Sequence, residues 1–391
     1  MKIAVFSPVY YPEVLGGGEY STKIMVDGLV NRGHSVEVFC TSMEKRDEVV
    51  SGALVHRSYL SGTSEIYYGI MNPDTSVRIG ILEKMSLKYS EYFYSRSWVR
   101  RFTELLSKGD YDIVYCAAPL SLAGRNCLWR AAHNLSLPIV HALRSPDLYT
   151  TSSKVLINLL LTHINKRAAE KYITAFISPS HFMINEHRRR GIASERMVVI
   201  PNAVDCNFSG LGDVSPALKR KEILFAGHVR EEKGIITLCK AISQLNGLVN
   251  LRIVGSGELV DWARQQPYVQ CDAAMNQTDL YKLMSGANAV VLPSEWDEAF
   301  GRVLIESIAC GTIGIGSNRG GIPEVLNGDE RFIFKAGDVD ELVKAIERVC
   351  GFSRVEYSDA LRDQRKWVLQ NCTVDANVAH FESLFSSLIC R

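Results

Sequence analysis

Two carboxylates, Glu298 and Glu306, stand with seven residues between them in the run Pro293-Ser-Glu-Trp-Asp-Glu-Ala-Phe-Gly-Arg-Val-Leu-Ile-Glu306. The apolar, β-branched run Ala289-Val-Val-Leu292 before it reads as a buried strand of a parallel sheet. Val303, Leu304, Ile308 and Ala309 after it, closed by Gly311, read as a helix with a glycine end. Glu298 then lies in the loop, and Glu306 about one and a half turns into the helix on an otherwise apolar surface. A carboxylate buried there needs hydrogen-bond donors, and the hydroxyls of a sugar or ribose are such donors. Strand-loop-helix corners of this kind form the crevices where open α/β sheets bind ligands.

Glycine-rich corners elsewhere carry the chemistry of an anion. Gly16, Gly17 and Gly18 follow the first strand directly and precede a helix whose start offers free N–H groups. The spacing is not Gly-x-Gly-x-x-Gly, so a dinucleotide is a poor fit. A phosphate or sugar cradle and a flexible surface loop both remain open for these three glycines.

These corners need a doubly wound scaffold, and the chain alternates accordingly. Strand-like runs are expected at 2–9, Ser35–Cys40, Asp112–Cys116, Pro138–Leu143, Ala175–Ser178 and Val198–Asp205. The alternation restarts with Glu222–Ala226, then Gly227-His-Val-Arg-Glu-Glu-Lys-Gly234, a helix to Leu245, and Val249–Val254 followed by Gly255-Ser-Gly257. The segment 205–217, rich in Gly, Ser, Asp and Pro, reads as a linker. At 391 residues with 47% hydrophobic and 22% charged content, two domains of similar size are expected. These are 1–205 and 206–373, with a C-terminal amphipathic helix at 374–391.

Charge divides unevenly: residues 1–200 hold 24 Lys and Arg against 18 Asp and Glu, and the remainder 20 against 25. The positive half suits an anionic partner, yet the excess is too small for a dedicated nucleic-acid binder, and no zinc-finger, RRM or KH pattern occurs. Basic helical segments at 76–108 and 155–171, and the cluster Arg188-Arg-Arg190, fit either an anionic membrane surface or buried helices with a solvated cationic rim. Ten cysteines without a Cys-x-x-Cys pair suggest reduced thiols rather than a disulfide framework or zinc site. The opening residues lack a signal-peptide pattern and no apolar run reaches membrane-spanning length, so a cytoplasmic protein is expected.

With these motifs in order, the sequence resembles the retaining GT-B glycosyltransferases of glycosyltransferase family 4 over nearly its whole length. The landmarks are Gly16–Glu19, Gly33-His34, Pro201–Asp205, Gly227–Gly234, Val254–Gly257, Glu298–Glu306 and Gly320-Gly-Ile-Pro-Glu324. The resemblance implies an α/β fold of GT-B architecture, two Rossmann-like doubly wound domains facing a central cleft. The second would bind a nucleotide-diphosphate sugar, such as a UDP-sugar or GDP-mannose, and the first most of the acceptor. The C-terminal helix would pack back on the first domain. No cofactor or metal is implied.

By the same resemblance Lys233 is the phosphate-binding lysine, Glu298 holds donor-sugar hydroxyls and Glu306 the ribose hydroxyls. Backbone N–H groups of Phe300, Gly301, Arg302 and Val303 point at the donor, and the Gly16–Gly18 loop closes over its phosphates. Gly227 and His228 join the donor site, although the family usually has arginine where this chain has His228; Arg230 is a candidate to compensate. Arg144 stands where the family often has histidine near the reacting sugar, so it meets the donor phosphate, an anionic acceptor, or only a structural partner. The activity implied is a hexosyltransferase acting on a glycan or lipid-linked hydroxyl in cell-surface polysaccharide or glycolipid synthesis. A nucleotide-sugar epimerase or hydrolase, or a non-catalytic nucleotide-sugar-binding subunit, is the alternative on this fold.

Overall fold

The structure is a computed structural model that describes residues 1–7, 9–13, 17–59, 103–117, 124–144, 166–192, 196–205 and 221–390. Gly16, most of the 205–217 linker and the basic stretches 76–102 and 155–165 lie outside the described residues. Two compact units emerge: Met1–Ile200 with Asn377–Arg391, and Pro201–Ala376.

In the first unit the elements run β1 (Lys2–Phe6), α1 (Gly17–Asn31), β2 (Ser35–Thr41), β3 (Arg46–Val50), β4 (Ala53–Ser58), β5 (Ile113–Cys116), α2 (Gly124–Asn134), β6 (Ile139–Ala142), β7 (Ala175–Ser178), α3 (His181–Arg189) and β8 (Met197–Val199). Their sheet has the order β3-β4-β2-β1-β5-β6-β7-β8 and is parallel except for the β3–β4 hairpin. β1, β5, β6 and β7 are buried almost throughout, as strands covered on both faces must be. The expected strand at Val198–Asp205 is shorter: β8 ends at Val199, and Val204 instead bridges to Thr373.

The second unit contains β9 (Glu222–Ala226), a 3-10 turn (Glu231–Lys233), α4 (Ile235–Gln244), β10 (Asn250–Val254), α5 (Val260–Arg264), β11 (Val269–Asp272), α6 (Gln277–Gly286) and β12 (Ala289–Leu292). It continues with α7 (Arg302–Ala309), β13 (Ile313–Ser317), α8 (Ile322–Val325), β14 (Ile333–Phe334), α9 (Val339–Gly351) and α10 (Arg354–Asn371). The sheet is wholly parallel in the order β11-β10-β9-β12-β13-β14. Because the chain leaves β9 for β10 on one side and returns to β12 on the other, strand order reverses between β9 and β12. The loops leaving their carboxyl ends therefore flank the topological switch point, where such sheets bind ligands.

β13 reads Ile-Gly-Ile-Gly-Ser, and its glycines let α7 and α8 approach closely: a Cβ on Gly316 would meet Ile322 at 2.4 Å and Leu304 at 3.2 Å. From α10, Tyr357 donates to Asn288 O (2.9 Å) and accepts from Ile313 N (3.2 Å), while Gln364 bonds both backbone groups of Gly314. These buried polar groups are satisfied by the strands they cross. The last helix, α11 (Val374–Ile389), packs its later residues on the first unit. Phe381 meets the β5 Tyr115 ring edge-on at 5.6 Å, and Glu382 pairs with Arg32 (2.5 Å) and His34 (2.8 Å). Among the described residues no helix is long and apolar enough to cross a membrane.

Candidate active site

Four loops of the second unit lock together by backbone contact. Gly227 N donates to Val254 O (3.0 Å), Val229 N to Ser256 O (2.9 Å) and Leu259 N to Val229 O (3.1 Å), zipping the turn after β9 to the turn after β10. A Cβ on Gly255 would stand 1.9 Å from Gly227 O, and one on Gly257 2.3 Å from Val229 O. Gly234, left-handed at φ 72, backs onto Pro293 O at 1.9 Å from a would-be Cβ. Glu295 N and Trp296 N both donate to Glu232 O, at 2.9 and 3.0 Å. On the far side Gly321 N donates to Glu298 O at 2.7 Å, and Gly320 leaves no room for a Cβ beside that carbonyl (2.1 Å). The glycines therefore permit the approach that brings residues distant in sequence to one corner.

That corner unites Lys233 and Glu298. Lys233 Nζ donates to Glu298 Oε1 at 2.6 Å, and the buried Ser294 hydroxyl donates to the same oxygen at 2.8 Å. Glu295, beside them, is held by Thr237 Oγ1 at 2.7 Å. His228 reaches solvent, but the packing around it, followed by the positive Arg230 and Lys233, keeps its pKa below the ordinary histidine value. That shift favours the neutral imidazole. Arg230 is exposed, its nearest carboxylate being Glu232 at 3.8 Å.

Glu306, the fifth residue of α7, is 6% exposed. Arg302, one turn earlier, reaches its Oε1 through Nε (2.9 Å) and Nη2 (2.8 Å), and Gln277 Nε2 of α6 reaches the same oxygen at 3.1 Å. Among the described residues no hydrogen bond reaches Oε2. Gly301, left-handed at φ 100, caps the helix start, and its carbonyl takes Leu304 N at 3.0 Å. Phe300 commits its side chain to the core, 6.3 Å from the Trp367 ring, so only its backbone is left for a ligand. Val303 is half-buried beside it. The first-turn N–H groups of Arg302 and Val303 have no acceptor one turn back along their own helix.

In the first unit a second group gathers at the carboxyl ends of β1, β5 and β6, again where strand order reverses. α1 begins at Gly17, so Gly17 and Gly18 are the first residues of the helix rather than part of a free loop. The Arg144 guanidinium donates to Gly18 O, to Thr22 Oγ1 (2.7 Å) and to Tyr115 Oη (3.0 Å). These partners are neutral, so Arg144 fixes the start of α1 by hydrogen bonds rather than by an ion pair. The cluster Arg188–Arg190 closes α3, where Arg189 and Arg190 both bond Glu186, at 2.7 and 2.9 Å. Cys40, Cys116, Cys239, Cys271, Cys310, Cys350, Cys372 and Cys390 are free thiols.

Ser294, Thr237 and Gln277 escape a reading of the sequence. Ser294 alone had a signal, standing two residues after the strand and four before Glu298. Gln277 starts a different helix and its meeting with Glu306 depends on how α6 and α7 pack.

Residues 15–208 match the family described as Glycosyltransferase Family 4, and residues 213–351 match Glycosyl transferases group 1. A Klebsiella pneumoniae protein described as an uncharacterized 42.6 kDa protein in cps region is 25% identical, covering 83% of this chain and 87% of its own. Sucrose-phosphate synthase from Thermosynechococcus elongatus superposes with a TM-score of 0.76 at 19% identity, over 100% of this chain and 99% of that one. The Anabaena protein HepE, solved in complex with UDP and glucose, superposes with a TM-score of 0.72 at 17% identity, over 99% and 100%. Two parallel-sheet units and these superpositions make the fold GT-B, and the two family matches together span most of the chain. The chain belongs to the group 1 / family 4 glycosyltransferases and is a transferase of EC 2.4 type.

Proposed function

We propose that the chain moves a sugar, with retention of configuration, from a nucleotide-diphosphate sugar to a hydroxyl of a glycan or lipid-linked acceptor. The observation that carries this reading is the convergence of Lys233, Glu298 and the α7 start at the carboxyl ends of β9 and β12. Cleaving the donor's glycosidic bond builds negative charge on the departing diphosphate. Lys233 supplies a cation for it, and the α7 amides supply aimed dipoles. Glu298 accepts from sugar hydroxyls, and the Oε2 atom of Glu306 accepts from the ribose. Gly227 and the neutral His228 line the phosphate turn, leaving Lys233 and Arg230 as its charges. HepE's complexes with UDP and with UDP-glucose make a uridine donor the first to test.

Glu298 is engaged as an acceptor by two donors, which favours same-face attack over a covalent intermediate. The bond from the anomeric carbon to phosphate breaks, the bond to the acceptor oxygen forms, and the acceptor's proton passes to the leaving phosphate. No cofactor enters the scheme.

A panel of UDP-, GDP- and ADP-sugars tests the reading, first by the rise in melting temperature each produces and then by transfer. Lys233→Ala and Glu306→Ala should each slow transfer at least tenfold, about 1.4 kcal/mol in barrier, and the product should keep the donor's anomeric configuration. Wild-type rates in both variants would sink the site assignment. Donor turnover that needs no acceptor would replace transfer by hydrolysis or epimerisation.

A further inference from the structure

Lys233 and Glu298 occupy each other. Their 2.6 Å contact is shared by Ser294, and the two side chains are only 24% and 18% exposed. Both backbones are pinned: Gly234 seats the lysine turn on Pro293, and Gly321 with Gly320 grips the Glu298 carbonyl. Neither backbone can retreat without disturbing a packed loop, so only the side chains can change partners. A diphosphate that is to use Lys233 must therefore take it from Glu298.

We propose that Glu298 competes with the diphosphate for Lys233 and so makes the site prefer an intact nucleotide-diphosphate sugar over the nucleoside diphosphate it becomes. This rests on the reading above, in which Lys233 holds phosphate and Glu298 holds sugar hydroxyls. When the intact donor binds, its hydroxyls replace the ammonium at Glu298 while its phosphate takes Lys233. Every charged group then keeps a partner. Once the sugar has gone to the acceptor, Glu298 loses those hydroxyl donors. A carboxylate left short of donors in a partly buried site is unfavourable, so it draws Lys233 back. The spent nucleoside diphosphate loses its cation at the moment it should leave. A ligand shifts such an exchange only through its differential affinity for the two arrangements. The measurable quantity is therefore the ratio of the two dissociation constants.

Isothermal titration calorimetry reads that ratio in the full chain, with UDP, GDP and ADP set against UDP-glucose, GDP-mannose and ADP-glucose. Glu298→Gln keeps hydrogen-bonding atoms for the sugar and removes the charge that holds Lys233. It should bind the nucleoside diphosphate roughly five- to tenfold tighter while gaining nothing for the sugar nucleotide, a tenfold change in ratio corresponding to about 1.4 kcal/mol. In a Lys233→Met background the same substitution should leave nucleoside-diphosphate affinity unchanged. Glu298→Ala provides the same sign should the glutamine variant fail to fold. A merely structural Glu298 would weaken both ligands alike, which overturns the competition. Unchanged or weaker nucleoside-diphosphate binding in the variants, with wild type still binding a sugar nucleotide, overturns it too and leaves the donor reading standing. If wild type bound none of the six, both would fall.

Discussion

Replacing Gly234 by alanine tests whether backbone approach builds the active corner. The residue is left-handed at φ 72 and ψ 22, and its new Cβ would stand 1.9 Å from Pro293 O. Ordinary contact begins near 3.4 Å, so one loop must withdraw by about 1.5 Å. The left-handed backbone costs a non-glycine residue about 1 kcal/mol, and forcing atoms into a packed site adds about 1–3 kcal/mol. Gly311 provides the control: it too is left-handed, at φ 85, but has nothing within 4 Å of a would-be Cβ. Its alanine variant carries the backbone term alone. At about 2–4 °C per kcal/mol for a unit of this size, Gly234→Ala should lower its melting by roughly 5–15 °C and Gly311→Ala by no more than about 4 °C. Scanning calorimetry separates them. Because Gly234 follows Lys233 directly, only its variant should also lose donor affinity and transfer. Melting of the two variants within about 1 °C of each other, or full transfer by Gly234→Ala, would refute the argument.

Two further predictions concern groups outside that corner. His187 is fully buried, its Nδ1 facing Met183 O at 2.7 Å; burial, against the pull of that carbonyl and with help from Arg190, lowers its pKa to about 4. The unfolded chain therefore takes up this proton first, near pH 6.5, so the folded state loses stability as pH falls from 6.5 towards 4, by up to about 3 kcal/mol. Urea unfolding at pH 7 and 4.5 should show that loss reduced in His187→Gln, and equal losses in both proteins would contradict it. Arg57 has no exposed side-chain surface: it pairs with Glu48, lies 3.5 Å from Glu13 and donates to Tyr10 O (3.0 Å) and Tyr11 O (2.6 Å). Arg57→Met strands those acceptors and should destabilise the chain by about 3–5 kcal/mol, partly recovered by adding Glu48→Leu; a loss under about 1 kcal/mol by urea unfolding would exclude the role.

Arg57 also shows where sequence patterning stops. β7, β9 and β12 are legible because a strand covered on both faces is apolar throughout, and Ala175–Ser178, Glu222–Ala226 and Ala289–Leu292 fall where the pattern puts them. β3 and β4 escape because Arg46-Asp-Glu carries three charges in a row and β4 turns Arg57 inward. An inward arginine looks like a loop residue until Glu48 of the neighbouring strand and the distant Glu13 are in place. The site divides the same way. Glu306 on a helix, Glu298 in a loop and a glycine-ended α7 follow from local spacing. The meeting of Lys233 with Glu298 does not, since it depends on β12 returning beside β9. Nor does the depressed pKa of His228, which comes first from the packing around the ring and then from Arg230 and Lys233. Arg144 shows the limit of resemblance: the position is named by the motif, but its hydrogen bonds to Gly18, Thr22 and Tyr115 are a product of the packed first unit.

The two acids of the motif have partners of opposite kinds, and that difference organises the chemistry. Glu306 is bound by Arg302 on its own helix, one turn away, through two guanidinium nitrogens. Such a pair is local and preorganised, and a planar guanidinium gives up little when it holds one carboxylate oxygen. It can stay intact while Oε2 serves a ligand, so Glu306 is suited to a fixed grip. Glu298 is bound by Lys233 from another loop, a point charge on a flexible stem with no fixed fork geometry. That pair can exchange partners, because the ammonium can swing to a phosphate without moving backbone. In the proposed reaction Glu306 is then the group that grips the donor throughout and Glu298 the group that changes hands during turnover, distinguished by which cation each carboxylate keeps.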